Sequence, residues 1–148
     1  MKKIGIISCN VNNLFSISNA FKKLDCTPIL SNDKKILMGC DMLVLPGVGA
    51  FDVAMQNIIK QNVDSTISDF LNTGKTFLGI CLGFQLLFEQ SEEFKKTKGL
   101  GLVKGNVVSL DKNQMIVPHV GWNQVETTNQ NNSIPKNMNS FYFVHSFY

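Results

Sequence analysis

The residue best placed for chemistry in this sequence is Cys81, which lies in the run Gly79-Ile80-Cys81-Leu82-Gly83. An apolar run at residues 76–80 leads into the cysteine, and a glycine stands two positions away on each side. The apex of a sharp strand-to-helix turn has a strained backbone, and side chains two places away would collide with it. The spacing therefore predicts a nucleophile elbow with Cys81 as its nucleophile.

The helix predicted after Cys81 runs through Leu86, Leu87 and Glu89. A sulfur at a helix N-terminus is favoured as thiolate, because the first amides and the helix dipole point toward it. The next backbone N–H, that of Leu82, would be free to donate to a developing oxyanion. The alternative is that Cys81 is a small buried apolar residue, as most intracellular cysteines are. We expect that ordinary role for the other three cysteines.

A second candidate segment is the glycine loop, Gly47-Val48-Gly49, which follows a predicted strand at residues 41–45. Glycines at the carboxyl end of a sheet strand let main-chain amides approach a ligand closely. The glycine loop would complete an oxyanion hole together with Leu82. The alternative is an ordinary strand-to-helix turn. The loop does not match phosphate-binding patterns, which need more glycines or a Lys-Ser/Thr pair.

Composition limits the class of protein. The 148 residues are 44% hydrophobic, which suits one compact domain. All 14 basic residues are lysine, against 11 acidic residues, so nucleic-acid binding through arginine forks is not expected. No stretch is long and apolar enough for a membrane span or an export signal. The four cysteines are too widely separated for a metal site or a disulfide framework, which favours the reducing cytoplasm.

Up to Cys81, short apolar runs alternate with amphipathic stretches, a pattern typical of βαβ units with a mostly parallel sheet. Strands are predicted at residues 3–8, 27–30, 41–45 and 76–80, and helices at residues 13–24, 52–60 and 63–71. The strand at residues 76–80 is apolar and is expected in the centre of the sheet.

From about Gly99 onward the pattern changes to short strands joined by Gly, Asn and Pro turns. It predicts an antiparallel extension with strands at residues 107–108, 115–117, 124–125 and 141–144. Residues 127–139 are dense in Asn, Gln and Ser and are predicted to form an exposed loop or hairpin tip.

Four segments in order, at residues 45–51, 79–89, 117–123 and 141–146, resemble the motifs of one family. They are similar to the triad-type (class I) glutamine amidotransferases, and most of all to the glutaminase subunits of imidazole glycerol phosphate synthase in histidine biosynthesis. The resemblance extends from residue 3 to residue 147. It implies a flavodoxin-like α/β fold, with helices flanking a mostly parallel sheet and an antiparallel extension after residue 100.

The resemblance also implies a reaction. Cys81 would attack the side-chain amide carbonyl of glutamine, form a thioester and release ammonia, which the family passes to a partner cyclase within a heterodimer. Main-chain groups of Val48, Gly49 and Leu82 would stabilise the oxyanion. No metal or cofactor is implied, because thioester chemistry needs none.

Several positions match family residues that bind the substrate. Gln85 and Glu93 match contacts to glutamine, and the Glu93 carboxylate suits its ammonium group. Gly47 belongs to the same site. The main chain of His145-Ser146-Phe147 matches the segment that binds the α-carboxylate.

Other positions match the surface that faces the synthase partner: Asn13, Trp122 and Asn123. The alternative for Trp122 is a core aromatic. Residues 8–14 depart from the family, in which Asp-Tyr-Gly-x-Gly-Asn-Leu is usual. Because this loop borders the partner surface, a paralogue that serves amidation of a surface-polysaccharide sugar is an alternative to the histidine pathway.

The family's catalytic His-Pro-Glu motif is not found in this sequence. His119 and His145 fall outside the catalytic position and are expected to be structural or to position ligand. The chain stops after an apolar strand, so we expect a single domain that is incomplete at its C-terminus. Positioned proton transfer is worth about 10²–10⁴ in rate, so this polypeptide alone is expected to be a poor or inactive glutaminase in a steady-state ammonia assay.

Two further alternatives follow from that departure. One is a non-catalytic remnant that retains the fold and acts as a binding module. The other is a cysteine hydrolase of another α/β family, in which His119 or His145 would be the base.

Overall fold

The computed structural model describes residues 1–9, 13–126 and 139–148. These residues form two compact units, Met1–Val107 and Val108–Tyr148. The first unit contains a parallel sheet with helices, and the second contains an antiparallel hairpin. Within the described ranges, no helix combines the length and apolar character needed to cross a membrane.

The first unit is built on a four-stranded parallel sheet of order β2-β1-β3-β4. The strands are β1 (Lys3–Ile7), β2 (Thr27–Ser31), β3 (Met42–Leu45) and β4 (Thr76–Gly79). The helices are α1 (Leu14–Lys23), α2 (Lys34–Met38), α3 (Phe51–Lys60), α4 (Val63–Leu71) and α5 (Leu82–Gln85). The expected mixed α/β class with a parallel sheet is confirmed, and the predicted strands and helices before Cys81 are all present.

Aliphatic side chains explain why β1 and β3 lie inside the sheet. Ile6 and Ile7 of β1 are buried, and so are Val44 and Leu45 of β3. Because neighbouring side chains of a strand point to opposite faces, both faces of these strands are covered. The core of the unit therefore encloses the strands that lead to the candidate site.

The short helix α2 was not predicted. Asp33 begins it, since one carboxylate oxygen accepts a hydrogen bond from the Ile36 N–H at 3.0 Å. Capping by Asp is strong, but a helix of five residues is too short to show a helical period in sequence.

Among the described residues, β4 lies at an edge of the sheet and not in its centre, where it was predicted. β4 pairs with β3 in the register Leu45↔Gly79, and no described strand pairs with its other edge. Leu78 is accordingly 39% exposed. An apolar run indicates that a strand can be buried on its faces, but it carries no information about which edges have a neighbour.

The helix after Cys81 is also shorter than predicted. α5 ends at Gln85, and one tighter turn follows, in which the Phe88 N–H donates to the Gln85 carbonyl at 3.2 Å. Glu89 is not helical, because its N–H donates to the Gly105 carbonyl and its carboxylate accepts from the Gly105 N–H, both at 3.0 Å. Contacts with a distant segment therefore end the helix.

The first unit closes with a small sheet of order β6-β5-β7. Its strands are β5 (Gln90–Ser91), β6 (Thr97–Lys98) and β7 (Asn106–Val107). β5 is antiparallel to β6 and parallel to β7.

The second unit is an antiparallel hairpin of β8 (His119–Gln124) and β9 (Ser140–His145), in which Trp122 lies opposite Tyr142. A second antiparallel contact follows β9, where the Leu110 N–H donates to the Ser146 carbonyl at 2.9 Å. The predicted antiparallel extension is therefore present, with β8 and β9 in place of the strands predicted at residues 124–125 and 141–144.

Residues 115–117 do not form the predicted strand. The Asp111 carboxylate accepts from the Asn113 N–H at 2.8 Å, and the Asp111 carbonyl accepts from the Met115 N–H at 3.2 Å. This side-chain-stabilised turn competes with an extended backbone, and it leaves Ile116 89% exposed. Of the loop predicted at residues 127–139, residues 127–138 lie outside the described residues.

Candidate active site

Cys81 occupies a tight turn between β4 and α5. Its backbone has φ 55° and ψ −119°, which is close to the first central position of a type II′ turn, a conformation that glycine prefers. The Gly83 N–H donates to the Ile80 carbonyl at 3.0 Å and closes that turn. The thiol is exposed, so the alternative of a small buried cysteine is wrong for Cys81.

The glycines two places from Cys81 are required by close approaches of the main chain. A Cβ on Gly83 would lie 1.9 Å from the Leu45 carbonyl oxygen, and a Cβ on Gly79 would lie 2.7 Å from the Phe84 Cα. Real Cβ atoms do not come this close to the backbone, so neither position accepts a side chain without rearrangement. The sequence spacing therefore corresponds to a packed elbow.

The glycine loop lies directly against this elbow. A Cβ on Gly47 would be 2.6 Å from the Gly83 nitrogen and 2.8 Å from the Leu82 Cβ. The two segments meet because β3 and β4 are parallel neighbours whose carboxyl ends lie at the same edge of the sheet. The glycine loop and the elbow thus border the same region, as an oxyanion site would require.

Main-chain donors are available at this edge. Within the described residues, the Leu82 N–H has no hydrogen-bond acceptor, and Val48 and Gly49 are exposed. The glycine loop, Leu82 and the first turns of α3 line a pocket of about 140 Å³, with Cys9 in its wall. The assignment of Val48, Gly49 and Leu82 to the oxyanion remains a prediction. Leu82 as a residue is buried, whereas Val48 and Gly49 are exposed.

The other cysteines differ from Cys81 in their surroundings. Cys9 and Cys40 are buried and Cys26 is partly buried. Burial raises the pKa of the Cys9 thiol to about 11 and also raises the pKa of Cys40, with the Asp41 charge adding to the second effect. Both buried thiols therefore stay protonated and unreactive near neutral pH.

Glu93 lies where the glycine loop runs into α3. Its carboxylate accepts a hydrogen bond from the Phe51 N–H at 2.7 Å, whereas Ala50, at the N-cap position, supplies no side-chain cap. Lys95 adds an ion pair with Asp52 in the first turn, at 3.1 Å. Glu93 therefore caps α3 from a distant segment. Its predicted contact with the glutamine ammonium group remains a prediction.

The cap by Glu93 makes a measurable prediction. Glu93→Ala should lower the free energy of unfolding by about 1 kcal/mol, because the first amide of α3 loses its acceptor. Glu93→Gln should retain part of that stability, since an amide oxygen accepts a weaker hydrogen bond than a carboxylate does. The measurement is urea unfolding. Glu92→Ala, at the exposed neighbouring position, is the control and should stay within about 0.5 kcal/mol of the unsubstituted protein. Equal losses from both alanine variants would contradict the cap.

The remaining predicted site residues are distributed as follows. Gln85 ends α5, with its N–H donating to the Cys81 carbonyl at 3.1 Å, and Asn13 is exposed at the N-cap position of α1. Trp122, Asn123 and His145-Ser146-Phe147 belong to the second unit. Trp122 is 72% exposed on the hairpin and contacts Tyr142 edge-on, so the alternative of a core aromatic is wrong for the described structure.

Sequence reasoning did not detect the contacts of Glu93 and Lys95 with α3. The two segments are separated by 42 residues, and no local spacing links them.

Across residues 1–9, 13–126 and 139–148, no group of three or more metal-ligating side chains is present.

Comparison with known proteins agrees with this geometry. Residues 4–135 match the family model of the CobB/CobQ-like glutamine amidotransferase domain. The imidazole glycerol phosphate synthase subunit HisH of Prochlorococcus marinus (strain NATL2A) is 44% identical over 99% of this chain and 71% of its own length. The subunit of the same name from Bacillus licheniformis is 42% identical over 98% of this chain and 71% of its own length.

The fold comparison points the same way. The crystal structure of a glutamine amidotransferase superposes with a TM-score of 0.68 at 16% identity, over 97% of this chain and 70% of that one. At such identity the superposition shows the fold alone. The family match and the extended sequence identity show that the chain belongs to the class I glutamine amidotransferases, among the HisH-type glutaminase subunits of imidazole glycerol phosphate synthase.

Proposed function

We propose that Cys81 is the nucleophile with which this protein hydrolyses glutamine to glutamate and ammonia. The observation that carries the proposal is the exposed thiol in a strained turn, with the glycine loop packed against the same elbow. Strained backbone of this kind persists only where the surrounding structure enforces it, and it is concentrated at functional sites.

The proposed reaction has two stages. The Cys81 sulfur bonds to the amide carbon of glutamine, the carbon–nitrogen bond breaks, and ammonia leaves with the proton that the thiol gave up. Water then attacks the thioester carbon, which releases glutamate and restores the thiol. During both stages the Leu82 N–H and the amides of Val48 and Gly49 would donate to the oxyanion.

Substrate binding completes the proposed site. Gln85 and Glu93 would contact glutamine, with the Glu93 carboxylate at its ammonium group. The main chain of His145-Ser146-Phe147 would bind its α-carboxylate. The order of these segments along the chain supports this assignment, because it is the order of the family's motifs.

We further propose that the ammonia is used by a cyclase subunit in the cytoplasm, within imidazole glycerol phosphate synthesis. The relatives' names, which describe a subunit of that synthase, support the partner. Exposed Asn13, Trp122 and Asn123 would face it. An exposed tryptophan with a polar neighbour is the type of residue enriched at protein interfaces.

Genetic complementation tests the pathway. Expressed from its complete gene in a bacterium that lacks its own HisH, the protein should restore growth without histidine. A high concentration of ammonium in the medium serves as the control, because it supplies the cyclase directly. It should also restore growth of the HisH-lacking strain that does not express this protein. If ammonium restores growth of the HisH-lacking strain but expression of the protein does not, the result would contradict the histidine assignment and favour the sugar-amidation paralogue.

A further inference from the structure

The loop between β5 and β6, residues 92–96, contacts the first turn of α3 at two points. The Oε2 atom of Glu93 accepts a hydrogen bond from the Phe51 N–H at 2.7 Å. The Lys95 Nζ lies 3.1 Å from the Asp52 Oδ2. Because Phe51 and Asp52 are the first two residues of α3, the two contacts together hold the loop against the start of that helix, and we call them the clamp.

The β5–β6 loop is anchored at its base and not at its apex. At the base, the Glu93 N–H donates to the hydroxyl of the fully buried Ser91 at 3.1 Å. At the apex, Phe94 has φ 58°, and the Lys95 N–H donates to the Glu93 carbonyl at 2.6 Å, which closes a tight three-residue turn. Phe94 is 85% exposed, so no packing holds the apex in place. The ion pair of Lys95 with Asp52 supplies that second anchor.

Asp52 is a fixed point for the clamp. Its side chain is 16% exposed, and its Oδ1 accepts from the Val53 N–H at 2.8 Å while its Oδ2 faces Lys95. Lys95 itself is 61% exposed, so solvent screens the ion pair and its contribution is modest. A change at Lys95 should therefore alter the position of the loop without unfolding the protein.

The clamp connects Glu93 to the glycine loop. Phe51 follows Gly49 by two residues, and Gly47 packs against the elbow that carries Cys81. The Phe51 N–H occupies the Oε2 of Glu93, and no group in the described part of the chain donates to its Oε1. A carboxylate accepts at both oxygens, so Glu93 can hold the start of α3 and bind an ammonium group at the same time.

We infer that Lys95 and Asp52 are positioning residues for glutamine. Their ion pair holds the β5–β6 loop so that Glu93 keeps its Oε2 on the Phe51 amide and presents its Oε1 to the α-ammonium group of the substrate. This inference rests on the proposed function, since it takes Glu93 as the ammonium site. It assigns to Lys95 a role in substrate affinity that acts through Glu93.

Two alkylating probes distinguish this role from a general loosening of the site. The first is a chloroketone analogue of glutamine, and the second is the same chloroketone without its α-amino group. In protein expressed from the complete gene, Lys95→Met should raise the half-saturating concentration of the first probe for Cys81 about two- to fivefold, as one exposed ion pair allows. The alkylation rate with the second probe should not change, because that probe has no ammonium group for Glu93 to bind.

The direction of the effect is itself informative. Direct electrostatics would act in the opposite sense, since removal of a nearby positive charge strengthens the binding of an ammonium group. A weaker affinity for the first probe would therefore report lost positioning of Glu93. Lys96→Met is the matched control, because it removes the same charge from the adjacent exposed residue, and it should not raise the half-saturating concentration of the first probe.

Two further variants test whether Lys95 acts through Asp52. Lys95→Arg retains a positive charge opposite Asp52 and should restore most of the affinity for the first probe. In an Asp52→Asn background, Lys95→Met should no longer raise the half-saturating concentration, because no ion pair is left to break.

The outcomes separate this inference from the glutaminase proposal. If the first probe labels Cys81 of the unsubstituted protein saturably, and Lys95→Met leaves its half-saturating concentration unchanged, lowers it, or weakens labelling by both probes equally, the positioning role is overturned and the glutaminase proposal stands. If the unsubstituted protein shows no saturable labelling of Cys81, the glutaminase proposal fails and this inference fails with it.

Discussion

Cys81→Ala is expected to lower glutamine hydrolysis by about 10⁴-fold or more, since removal of an enzyme nucleophile leaves only binding and oxyanion stabilisation. Cys81 is the exposed cysteine at the strained elbow, and alanine can occupy the same turn without supplying a sulfur. The measurement is the initial rate of ammonia release by protein expressed from the complete gene, in the presence of its cyclase partner.

The matched control for that result is Cys26→Ala. Cys26 is partly buried, and its thiol contacts the Leu24 carbonyl at 3.5 Å, remote in sequence from the elbow and from the glycine loop. We expect this variant to hydrolyse glutamine at the unsubstituted rate. Activity of Cys81→Ala within tenfold of that rate would exclude a thioester on Cys81.

Gly83→Ala is expected to destabilise the fold by about 3 kcal/mol or more, at the upper end of the cost of overpacking. The added Cβ would stand 1.9 Å from the Leu45 carbonyl oxygen. Hydrogen bonds hold the main chain at both positions, since the Gly83 N–H donates to the Ile80 carbonyl and the Leu45 carbonyl accepts from the Ile80 N–H. A flexible side chain could move aside, whereas this contact requires the elbow and β3 to separate.

Gly39→Ala provides the comparison for Gly83. Gly39 follows α2 in a right-handed helical conformation with φ −80°, and a Cβ there would come no closer than 3.4 Å to its neighbours. The unfolding midpoint of Gly39→Ala in urea should therefore lie close to that of the unsubstituted protein. Because the same contact positions Cys81, Gly83→Ala should also alter the iodoacetamide reactivity of the thiol. If Gly83→Ala and Gly39→Ala had the same unfolding midpoint in urea, the elbow would not be packed as described.

The parallel part of the fold was predictable because its signal is local. Alternation of apolar runs with amphipathic stretches indicated β1 to β4 and the longer helices, and α4 has the predicted bounds, Val63–Leu71. Two of the errors arose where contacts distant in sequence decide the outcome. The edge position of β4 depends on sheet order, and the end of α5 depends on hydrogen bonds between Glu89 and Gly105.

In the candidate site, too, some features were predictable from the sequence and others were not. The spacing of Gly79, Cys81 and Gly83 indicated the elbow, because this local spacing is typical of a strand-to-helix turn with a nucleophile at its apex. The contact that excludes a side chain at Gly83 was not visible in that spacing, since it involves the Leu45 carbonyl of another strand. The approach of Gly47 to that elbow followed from the general rule that parallel strands end at one edge of a sheet. The cap of Glu93 on α3 was not predictable, since a carboxylate carries no sequence mark of which distant amide it binds.

Treatment of the protein with the chloroketone analogue of glutamine, followed by peptide mapping of its four cysteines, tests the central claim most directly. The account predicts one adduct, on Cys81, that forms more slowly when glutamine is added, with Cys9 and Cys40 unmodified because they are buried and their pKa values are raised. An adduct that is absent from Cys81, or that forms there at the same rate with and without glutamine, would contradict it.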